Sequence, residues 1–278
     1  MVTIGTAIIT SPRRWATAAR AAEDAGFESV WVNEHLVMPV HMTGAPNTPH
    51  AGEPPISATT PAYDPWVALA TMAAVTSTVR LGTYVYNVGL RHPIITARAV
   101  TTLDNVSDGR AILGIGASWL RQEWEVMELP FDTRGRRVDE ALEVLTRLFT
   151  EDEIAHDGEF FHFQPIGFRP KPVQQPRPPV LVGGDSPAAM RRAALHGDGW
   201  IPMDQTLDTL PANLAAIHRM RADAGRSGPF EVTMGAQVSS AAEVRRYDDA
   251  GVDRLIVVLD PRDPDSYRRF GDEVLAQL

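Results

Sequence analysis

The chain contains no cysteine, and only one of its 278 residues is a lysine. The lack of cysteine excludes disulfides, thiolate nucleophiles and Cys-ligated metal or iron–sulfur sites. The single lysine, Lys171, lies in the proline-rich run FRPKPVQQPRPP, which is a poor setting for the desolvated amine that imine chemistry needs. Covalent catalysis by sulfur or by a lysine amine is therefore not expected.

The chain also has fewer basic than acidic residues, 26 against 35, and it lacks long apolar runs and metal-binding motifs. The formal net charge of −9 argues against nucleic acid or an acidic membrane surface as the main partner. No apolar stretch approaches the ~20 residues of a membrane span, and the first run, Val2–Ile9, lacks the features of a secretion signal. The scattered histidines form no ligand set, so no metal site is expected. We expect a cytoplasmic protein.

Short β-type runs alternate with amphipathic helical segments eight times along the chain. Near-continuous apolar strands separated by helices predict a parallel sheet that is buried on both faces. Eight such units indicate an α/β fold, a (β/α)₈ TIM-type barrel formed by one domain over residues 1–278, rather than an open doubly wound sheet. The predicted strands are Thr3–Ile9, Ser29–Asn33, Arg80–Tyr86, Ala111–Gly116, Val180–Val182, Trp200–Pro202, Glu231–Gly235 and Arg254–Leu259.

Two insertions, after strands two and four, are too long to be simple connections. Residues 41–60 are expected to cover the C-terminal mouth of the barrel, where active sites of this fold lie. Residues 119–178 are predicted to hold a helix over about 134–149 and then a hairpin, because Asp157-Gly158 is a type I′ turn signal.

The run PVLVGGDSPAAMRRAALHGDGWIP contains the clearest candidate for ligand binding. A short apolar strand meets Gly183-Gly184, and Asp185-Ser186-Pro187 then opens a helix with Ser186 as its N-cap. Free backbone N–H groups and the positive end of the helix dipole would suit a phosphate there. An ordinary strand-to-helix turn with a capped helix explains the same pattern.

Other candidates lie at the ends of strands two to four. Glu34 and His35 follow strand two and form either an acid/base pair or a pair that only hydrogen-bonds the loop above. His92, directly before Pro93, is interpreted as a helix-entry residue. In GIGASW, the glycines Gly114 and Gly116 allow either the close approach of a ligand or tight packing inside the barrel.

Three tryptophans, Trp31, Trp119 and Trp200, fall in or beside predicted strands, where they could flank a planar ligand or pack in the core. With no thiol, metal site or well-placed lysine, such a barrel suits a phosphorylated organic cofactor that brings its own reactivity.

Three segments carry a family resemblance: LGTYVYNVGLRHP, TTLDNVSDGRAILGIGASW and PKPVQQPRPPVLVGGDSPAAMRRAALHGDGW. They resemble the luciferase-like monooxygenase superfamily, most closely its branch of oxidoreductases that depend on the deazaflavin coenzyme F420. The resemblance covers nearly the whole chain and is weakest in residues 37–61 and after residue 202. It implies a TIM-type barrel that holds the cofactor ring near strands two to four and its phosphate at the loop after strand five.

The resemblance also implies residue roles. His35 would be the proton donor or acceptor, with Glu34 orienting it, and Tyr84-Val85 falls where the family commonly has a non-prolyl cis peptide that supports the ring. The other implied cofactor contacts are Asn87, Gly116, Ala117 and Ser118 at the ring or tail, and Gly183, Gly184, Asp185 and Ser186 at the phosphate.

The chain departs from the F420-dependent glucose-6-phosphate dehydrogenases of this superfamily at two positions. Those enzymes have a glutamate where Trp119 aligns and a tryptophan where Pro39 aligns, and they bind the sugar phosphate through lysines. Since Lys171 is the only lysine here, that substrate is not expected.

The expected function is F420-dependent hydride transfer to or from an unidentified small molecule. One alternative is a monooxygenase that uses reduced FMN and O₂ with a separate reductase, and another is a non-catalytic flavin- or F420-binding barrel. F420 carries a polyanionic tail that needs a basic groove, for which the candidates are Arg121, Arg169, Arg191 and Arg192. A homodimer could bury the apolar face of residues 66–75.

Overall fold

The computed structural model describes residues 1–44 and 54–278, and strands and helices alternate along them. The strands in chain order are β1 (Thr3–Ala7), β2 (Ser29–Val32), β3 (Arg80–Thr83), β4 (Tyr86–Asn87), β5 (Ala111–Gly116), β6 (Glu153–Asp157), β7 (His162–Gly167), β8 (Val180–Gly183), β9 (Gly199–Ile201), β10 (Glu231–Gly235) and β11 (Arg254–Val258). The helices are α1 (Pro12–Asp24), α2 (Pro65–Ala73), α3 (Pro93–Val106), α4 (Arg121–Val126), α5 (Arg134–Thr150), α6 (Pro187–His196), α7 (Leu210–Asp223), α8 (Ala241–Asp249) and α9 (Asp265–Glu273).

The predicted TIM-type barrel is confirmed. The strands run in the order β3-β2-β1-β11-β10-β9-β8-β5, and the pairing of β3 with β5 closes the parallel sheet on itself. β4 continues β3 and also pairs with β5. Because a closed barrel brings the carboxyl ends of all its strands to one mouth, residues far apart in the chain meet there.

The third predicted strand is not continuous. It divides into β3 and β4 at the peptide bond between Tyr84 and Val85, which is cis, as the family resemblance implied. A Cβ placed on Gly114 would lie 2.0 Å from the carbonyl oxygen of Thr83. Gly114 is therefore required for tight packing of the strands. Of its two interpretations from the sequence, packing inside the barrel is the one that the structure supports.

Capped helices follow the strands as the sequence predicts. Asp64 accepts hydrogen bonds from the N–H groups of Trp66 and Val67 at the start of α2 (2.9 and 3.1 Å). His92 Nδ1 accepts from the Ile94 N–H (3.3 Å) at the start of α3, so the interpretation of His92 as a helix-entry residue is confirmed.

The insertion after β5 contains the predicted helix and hairpin, but the predicted type I′ turn is wrong. The loop between β6 and β7 has four residues and is closed by a hydrogen bond from Gly158 N–H to the Phe161 carbonyl (3.0 Å). The Glu140 carboxylate on α5 accepts the N–H groups of Glu159, Phe160 and Phe161. This tertiary contact determines the turn more strongly than the Asp-Gly pair does.

Lys171 is fixed at the end of the same helix. Its ammonium group donates to the carbonyl oxygens of Leu148 (2.8 Å) and Glu151, at the C-terminus of α5. The amine is therefore engaged by backbone carbonyl groups at the end of α5.

Charged side chains close the end of the barrel opposite the mouth. The buried guanidinium of Arg254 donates to Glu28 (2.8 and 3.1 Å) and to Glu231. We refer to Arg254, Glu28 and Glu231 as the base cluster. No helix within residues 1–44 and 54–278 is long and apolar enough to cross a membrane.

Candidate active site

A cavity of about 310 Å³ opens at the mouth of the barrel, at the carboxyl ends of β2, β3–β4, β5 and β8. These strands are neighbours in the barrel. The cavity is lined by the predicted acid–base pair and by the ring and phosphate contacts that the resemblance implied: Glu34, His35, Tyr84, Val85, Asn87, Gly116, Ala117, Ser118, Gly183, Gly184, Asp185 and Ser186. The lining also includes Trp119, Arg134, Arg192 and Met203. We call it the mouth cavity.

His35 lines the mouth cavity and contacts a buried carboxylate through one ring nitrogen. His35 Nδ1 lies 3.3 Å from Glu123 Oε2. Among the described residues, His35 Nε2 has no hydrogen-bond partner. The Trp119 ring stands edge-on to the imidazole, with 5.9 Å between the ring centroids. A group held in this way can exchange a proton with a ligand through Nε2.

Glu123 is the functional residue that the sequence interpretation missed. Its side chain is fully buried and accepts hydrogen bonds from the N–H of Leu36 (2.5 Å) and from the side chains of Asn87 and Ser118 (3.4 Å each). It therefore joins the loops after β2, β4 and β5. The sequence carries no local signal for this role, because the partners of Glu123 at Asn87 and His35 lie 36 and 88 residues away in the chain.

The structure contradicts the prediction that Glu34 orients His35. The Glu34 carboxylate instead accepts from Arg91 Nη2 (2.6 Å) and from the Asn87 N–H (2.8 Å). Burial raises the pKa of Glu34, and Arg91 and the Asn87 N–H oppose that rise. Glu34 and His35 are adjacent in sequence, but their side chains contact different partners.

Val85 lies between two glycines at the floor of the mouth cavity. A Cβ on Gly116 would lie 2.8 Å from Val85 Cγ2, and one on Gly183 would lie 3.1 Å from Val85 Cγ1. Gly116 therefore leaves the space that the Val85 side chain occupies, whereas a Cβ on Gly183 would require a shift of only a few tenths of an ångström. The Tyr84 side chain faces the barrel interior, where it packs on Trp31.

The turn after β8 offers unused backbone donors. Ser186 caps α6, with its Oγ accepting the Ala189 N–H (3.1 Å), and Pro187 occupies the first helical position. Within the described part of the chain, the N–H groups of Asp185, Ser186 and Ala188 donate to no protein acceptor. The capped helix and a seat for an anion are thus compatible rather than alternative interpretations.

Asp185 lines the cavity, but its carboxylate is already engaged. It accepts from the N–H groups of Met203 (3.1 Å) and Asp204 (2.9 Å) and from the Gln205 amide (3.2 Å). Burial raises the pKa of Asp185, and these hydrogen bonds oppose the rise. Its side chain therefore fixes the loop after β9 beside the turn, and its backbone N–H is the group available to a ligand.

Two arginines border the cavity next to this turn. Arg192 donates to Asp139 (2.6 Å) and to the Gly135 carbonyl (3.1 Å), and Arg134 lies on the adjacent start of α5. Burial, together with the guanidinium groups of Arg121 and Arg192, lowers the pKa of Arg134, and Asp132 opposes this effect. Two guanidinium groups therefore border the cavity. That of Arg192 is already paired with Asp139, and an anionic ligand would be attracted mainly by Arg134.

The other sequence candidates for the basic groove and the aromatic wall lie elsewhere. Arg121, Arg169 and Arg191 do not line the mouth cavity, whereas Arg192 does. Of the three tryptophans, only Trp119 lines it, since Trp31 and Trp200 are fully buried and donate to Ser29 and to Gly184. Residues 45–53 of the predicted mouth loop lie outside the described residues, so its role as a lid stays a prediction.

Comparison with known proteins identifies related sequences over most of the chain. A family model described as luciferase-like monooxygenase matches residues 2–270. The protein Rv0953c of Mycobacterium tuberculosis is 34% identical over 266 residues, covering 95% of this chain and 93% of the relative. An F420-dependent glucose-6-phosphate dehydrogenase of Kineococcus radiotolerans is 31% identical, covering 85% of this chain and 68% of the relative.

An FMNH₂-dependent dimethylsulfone monooxygenase of Pseudomonas putida is 27% identical over 66% of this chain and 49% of the relative. Among solved structures, the coenzyme F420-dependent tetrahydromethanopterin reductase of Methanopyrus kandleri superposes with a TM-score of 0.79 at 18% identity, covering 99% of both chains. At that identity the likeness is one of fold.

Proposed function

The chain belongs to the luciferase-like monooxygenase family, and we propose that it is an F420-dependent oxidoreductase that moves a hydride between the deazaflavin and a small organic substrate. Members of this family are F420- or flavin-dependent oxidoreductases and monooxygenases, so the protein is an enzyme of that type. The choice of F420 is the part of the assignment that we propose.

The observation that carries the proposal is positive charge next to unused backbone donors. The N–H groups of Asp185, Ser186 and Ala188 suit one phosphate, and Arg134 and Arg192 extend the basic surface beyond it. FMN carries a single phosphate and would use the turn alone. F420 carries further negative charges on its tail, for which the two arginines supply a binding surface.

The residues around the ring position have distinct tasks in this proposal. The bound deazaflavin supplies the hydride chemistry. The side chain of Val85, enclosed by Gly116 and Gly183, supports the ring. His35 Nε2 gives a proton to the substrate or removes one, while Glu123 holds His35 Nδ1 and so fixes the direction of the ring.

A monooxygenase that uses reduced FMN is the second candidate function. It is supported by the sequence similarity to the FMNH₂-dependent enzyme of Pseudomonas putida. In that case a separate reductase would supply the reduced flavin. Neither function requires a metal, and residues 1–44 and 54–278 contain no cluster of His, Asp and Glu able to hold one.

The proposal also includes a cytoplasmic location and a homodimer. Val67 on α2 and Ile95 and Val106 on α3 expose about 60% of their surface (61%, 62% and 60%) on one apolar face. Such a patch is typical of a contact surface. Light scattering of the wild type and of Ile95→Asp would test it, and a monomeric wild type would contradict this part of the proposal.

The cofactor is tested by titrating the purified protein with F420 and with FMN in parallel, followed by tryptophan quenching and by the cofactor spectrum. We expect F420 to bind at micromolar or lower concentration and FMN to bind at least tenfold more weakly. A preference for FMN would move the assignment to the monooxygenase. Binding of neither would contradict the phosphate seat itself.

A further inference from the structure

A second cavity, of about 250 Å³, adjoins the mouth cavity. It lies between the carboxyl ends of β1 and β2 and the chain that leads into α2. His35 and Asn33 line both cavities. We call it the side cavity, and its described lining is Ile8, Ile9, Thr10, Ser11, Trp15, Val32, Asn33, His35, Met38, Thr60, Pro61, Ala62, Tyr63, Pro65 and Ala68.

The described lining of the side cavity contains no aspartate, glutamate, lysine or arginine. The aromatic part of its wall is already packed, since Tyr63 meets the Trp15 ring edge-on with 5.4 Å between the centroids. The Trp15 indole N–H is also occupied, because it donates to the Thr10 carbonyl (3.2 Å). The described wall therefore offers a largely apolar surface with a few neutral polar groups.

A charged ligand would be poorly accommodated in such a cavity. Moving an ionised group out of water without an opposite charge nearby costs several kcal/mol. The volume is also small, because ligand pockets commonly measure about 300–1,000 Å³. The molecule, or the part of it that enters, must therefore be small and uncharged.

We propose that the side cavity is the substrate site and that its substrate is a small, uncharged alcohol or the corresponding carbonyl compound. This inference rests on the proposed oxidoreductase function. His35 lines both cavities, so its imidazole can contact a substrate in the side cavity while the cofactor ring lies next to that substrate in the mouth cavity. In the oxidation, the alcohol carbon would give its hydride to the deazaflavin and the hydroxyl group would give its proton to His35 Nε2. Reduction of the carbonyl compound would reverse both transfers.

The same observations separate this protein from a sugar-phosphate enzyme. A phosphate group requires cationic side chains or several free N–H donors. In the described parts of the chain such groups line the mouth cavity, as Arg134 and Arg192, and not the side cavity. Phosphate recognition in this structure is therefore confined to the cofactor side.

The test compares binding of three probes with the same ring, namely cyclohexanone, cyclohexanol and cyclohexanecarboxylate. Calorimetric titration of the protein without cofactor gives the affinities. The change in total tryptophan fluorescence, to which Trp15 in the cavity wall contributes, gives a second readout. We expect the two neutral probes to bind at least tenfold more tightly than the carboxylate. Equal or tighter binding of the carboxylate would overturn the proposal.

Two methionines provide a matched pair of variants, because Met38 lines only the side cavity and Met203 only the mouth cavity. Met38→Glu should weaken cyclohexanone binding at least tenfold and leave F420 binding unchanged. Met203→Glu should weaken F420 binding, since it adds negative charge near the phosphate turn, and leave cyclohexanone binding unchanged. Met38→Gln, which adds no charge, should fall between Met38→Glu and the wild type in cyclohexanone affinity.

These outcomes distinguish the failure of this inference from failure of the cofactor assignment. If F420 binds and Met38→Glu has no effect on cyclohexanone, the side cavity is not the substrate site. If cyclohexanone binds in a Met38-dependent manner and F420 does not bind, the side cavity is supported as a ligand site while the cofactor assignment fails.

Discussion

The two ends of the barrel differ in whether their polar groups have hydrogen-bond partners within the protein. At the base, the donors of Arg254 are paired with Glu28, Glu231 and Thr233. At the mouth, His35 Nε2 and the backbone donors of the turn after β8 have no protein partners among the described residues, and His35, Asp185 and Ser186 line the mouth cavity. A polar group that the fold satisfies internally stabilises the fold, whereas one left open at a cavity is available to a ligand.

The mouth also contains fully engaged groups, and these hold the open ones in place. Glu123 accepts from the loops after β2, β4 and β5, and Asp185 accepts from the loop after β9. The comparison therefore predicts three classes of variant: loss of turnover at open groups, reduced turnover at supporting groups, and loss of stability at the base.

The largest effect is expected at His35. His35→Ala should lower turnover by about 10²- to 10⁴-fold, the usual contribution of a positioned acid or base, and should leave the Kd for the cofactor nearly unchanged. His92→Gln is the control, because His92 caps α3 outside the mouth cavity. Steady-state kinetics measure both. Equal turnover in His35→Ala and the wild type would contradict a role for His35 in proton transfer.

A base-cluster variant should show the reverse pattern. Arg254→Met leaves Glu28 and Glu231 without their partner and should lower the free energy of unfolding by about 3 kcal/mol. Turnover well below the melting temperature should stay at the wild-type value. Chemical denaturation and kinetics on the same preparation measure both quantities. A large loss of turnover in the folded variant would show that the two ends are coupled.

Glu123→Gln should reduce turnover by about tenfold or more, a fraction of the acid–base contribution, because Gln keeps the shape but loses the charge that orients His35. The pH dependence of turnover should also shift, which a purely structural role would not cause. Glu125→Gln, on the exposed side of the same helix, is the control. An unchanged pH profile with unchanged turnover would contradict the positioning role.

Arg134→Gln should raise the Kd for F420 by about fivefold, near the 1 kcal/mol expected for a partly exposed charge contact, and should change the Kd for FMN less. The effect should shrink as the salt concentration rises. Arg136→Gln, on the same helix with an exposed ion pair to Glu159, is the matched control. An equal rise in Kd for F420 and for FMN would contradict a contact between Arg134 and the F420 tail.

The smallest effect is expected at Glu23, where α1 meets the start of β3. Burial would raise the pKa of Glu23, but hydrogen bonds from Thr78, Ser77 and Val79 outweigh that effect and lower it below its usual 4.5. A lowered carboxyl pKa stabilises the fold above the unfolded-state pKa, and this contribution disappears as pH falls through the folded-state pKa.

Glu23→Gln should therefore cost about 1 kcal/mol of unfolding free energy near neutral pH, and the difference from the wild type should diminish below pH 4.5. Denaturant titrations at several pH values measure this difference. Asp24→Asn, exposed on the next position of α1, should show no such pH dependence. A difference that persists unchanged at low pH would contradict the hydrogen-bond explanation.

The barrel and the residues around its mouth could be predicted from the sequence because the signals are local. Apolar runs separated by capped helices define the strands, and strand ends meet at one mouth by topology alone. The pair Glu34 and His35 shows the limit of that reasoning. The two residues were expected to act together because they are adjacent in sequence, but Glu34 contacts Arg91 and His35 contacts Glu123.

Glu123 could not be assigned to the site because its partners lie 36 and 88 residues away, at Asn87 and His35. Its position depends on how the insertion after β5 packs against the mouth, which no local pattern specifies. The prediction of a type I′ turn at Asp157-Gly158 was wrong for the same reason, since Glu140 on α5 determines the loop. The barrel could be predicted from the sequence, but the tertiary contacts of the insertion after β5 could not.

The central claim is that the open groups at the mouth receive a phosphorylated cofactor beside His35. The most direct measurement is a crystal structure of the protein with F420. The account predicts a phosphate within hydrogen-bond distance of the N–H groups of Asp185, Ser186 and Ala188, and a ring that contacts Val85 near His35. A cofactor bound with its phosphate away from this turn, or with its ring remote from His35, would contradict the claim.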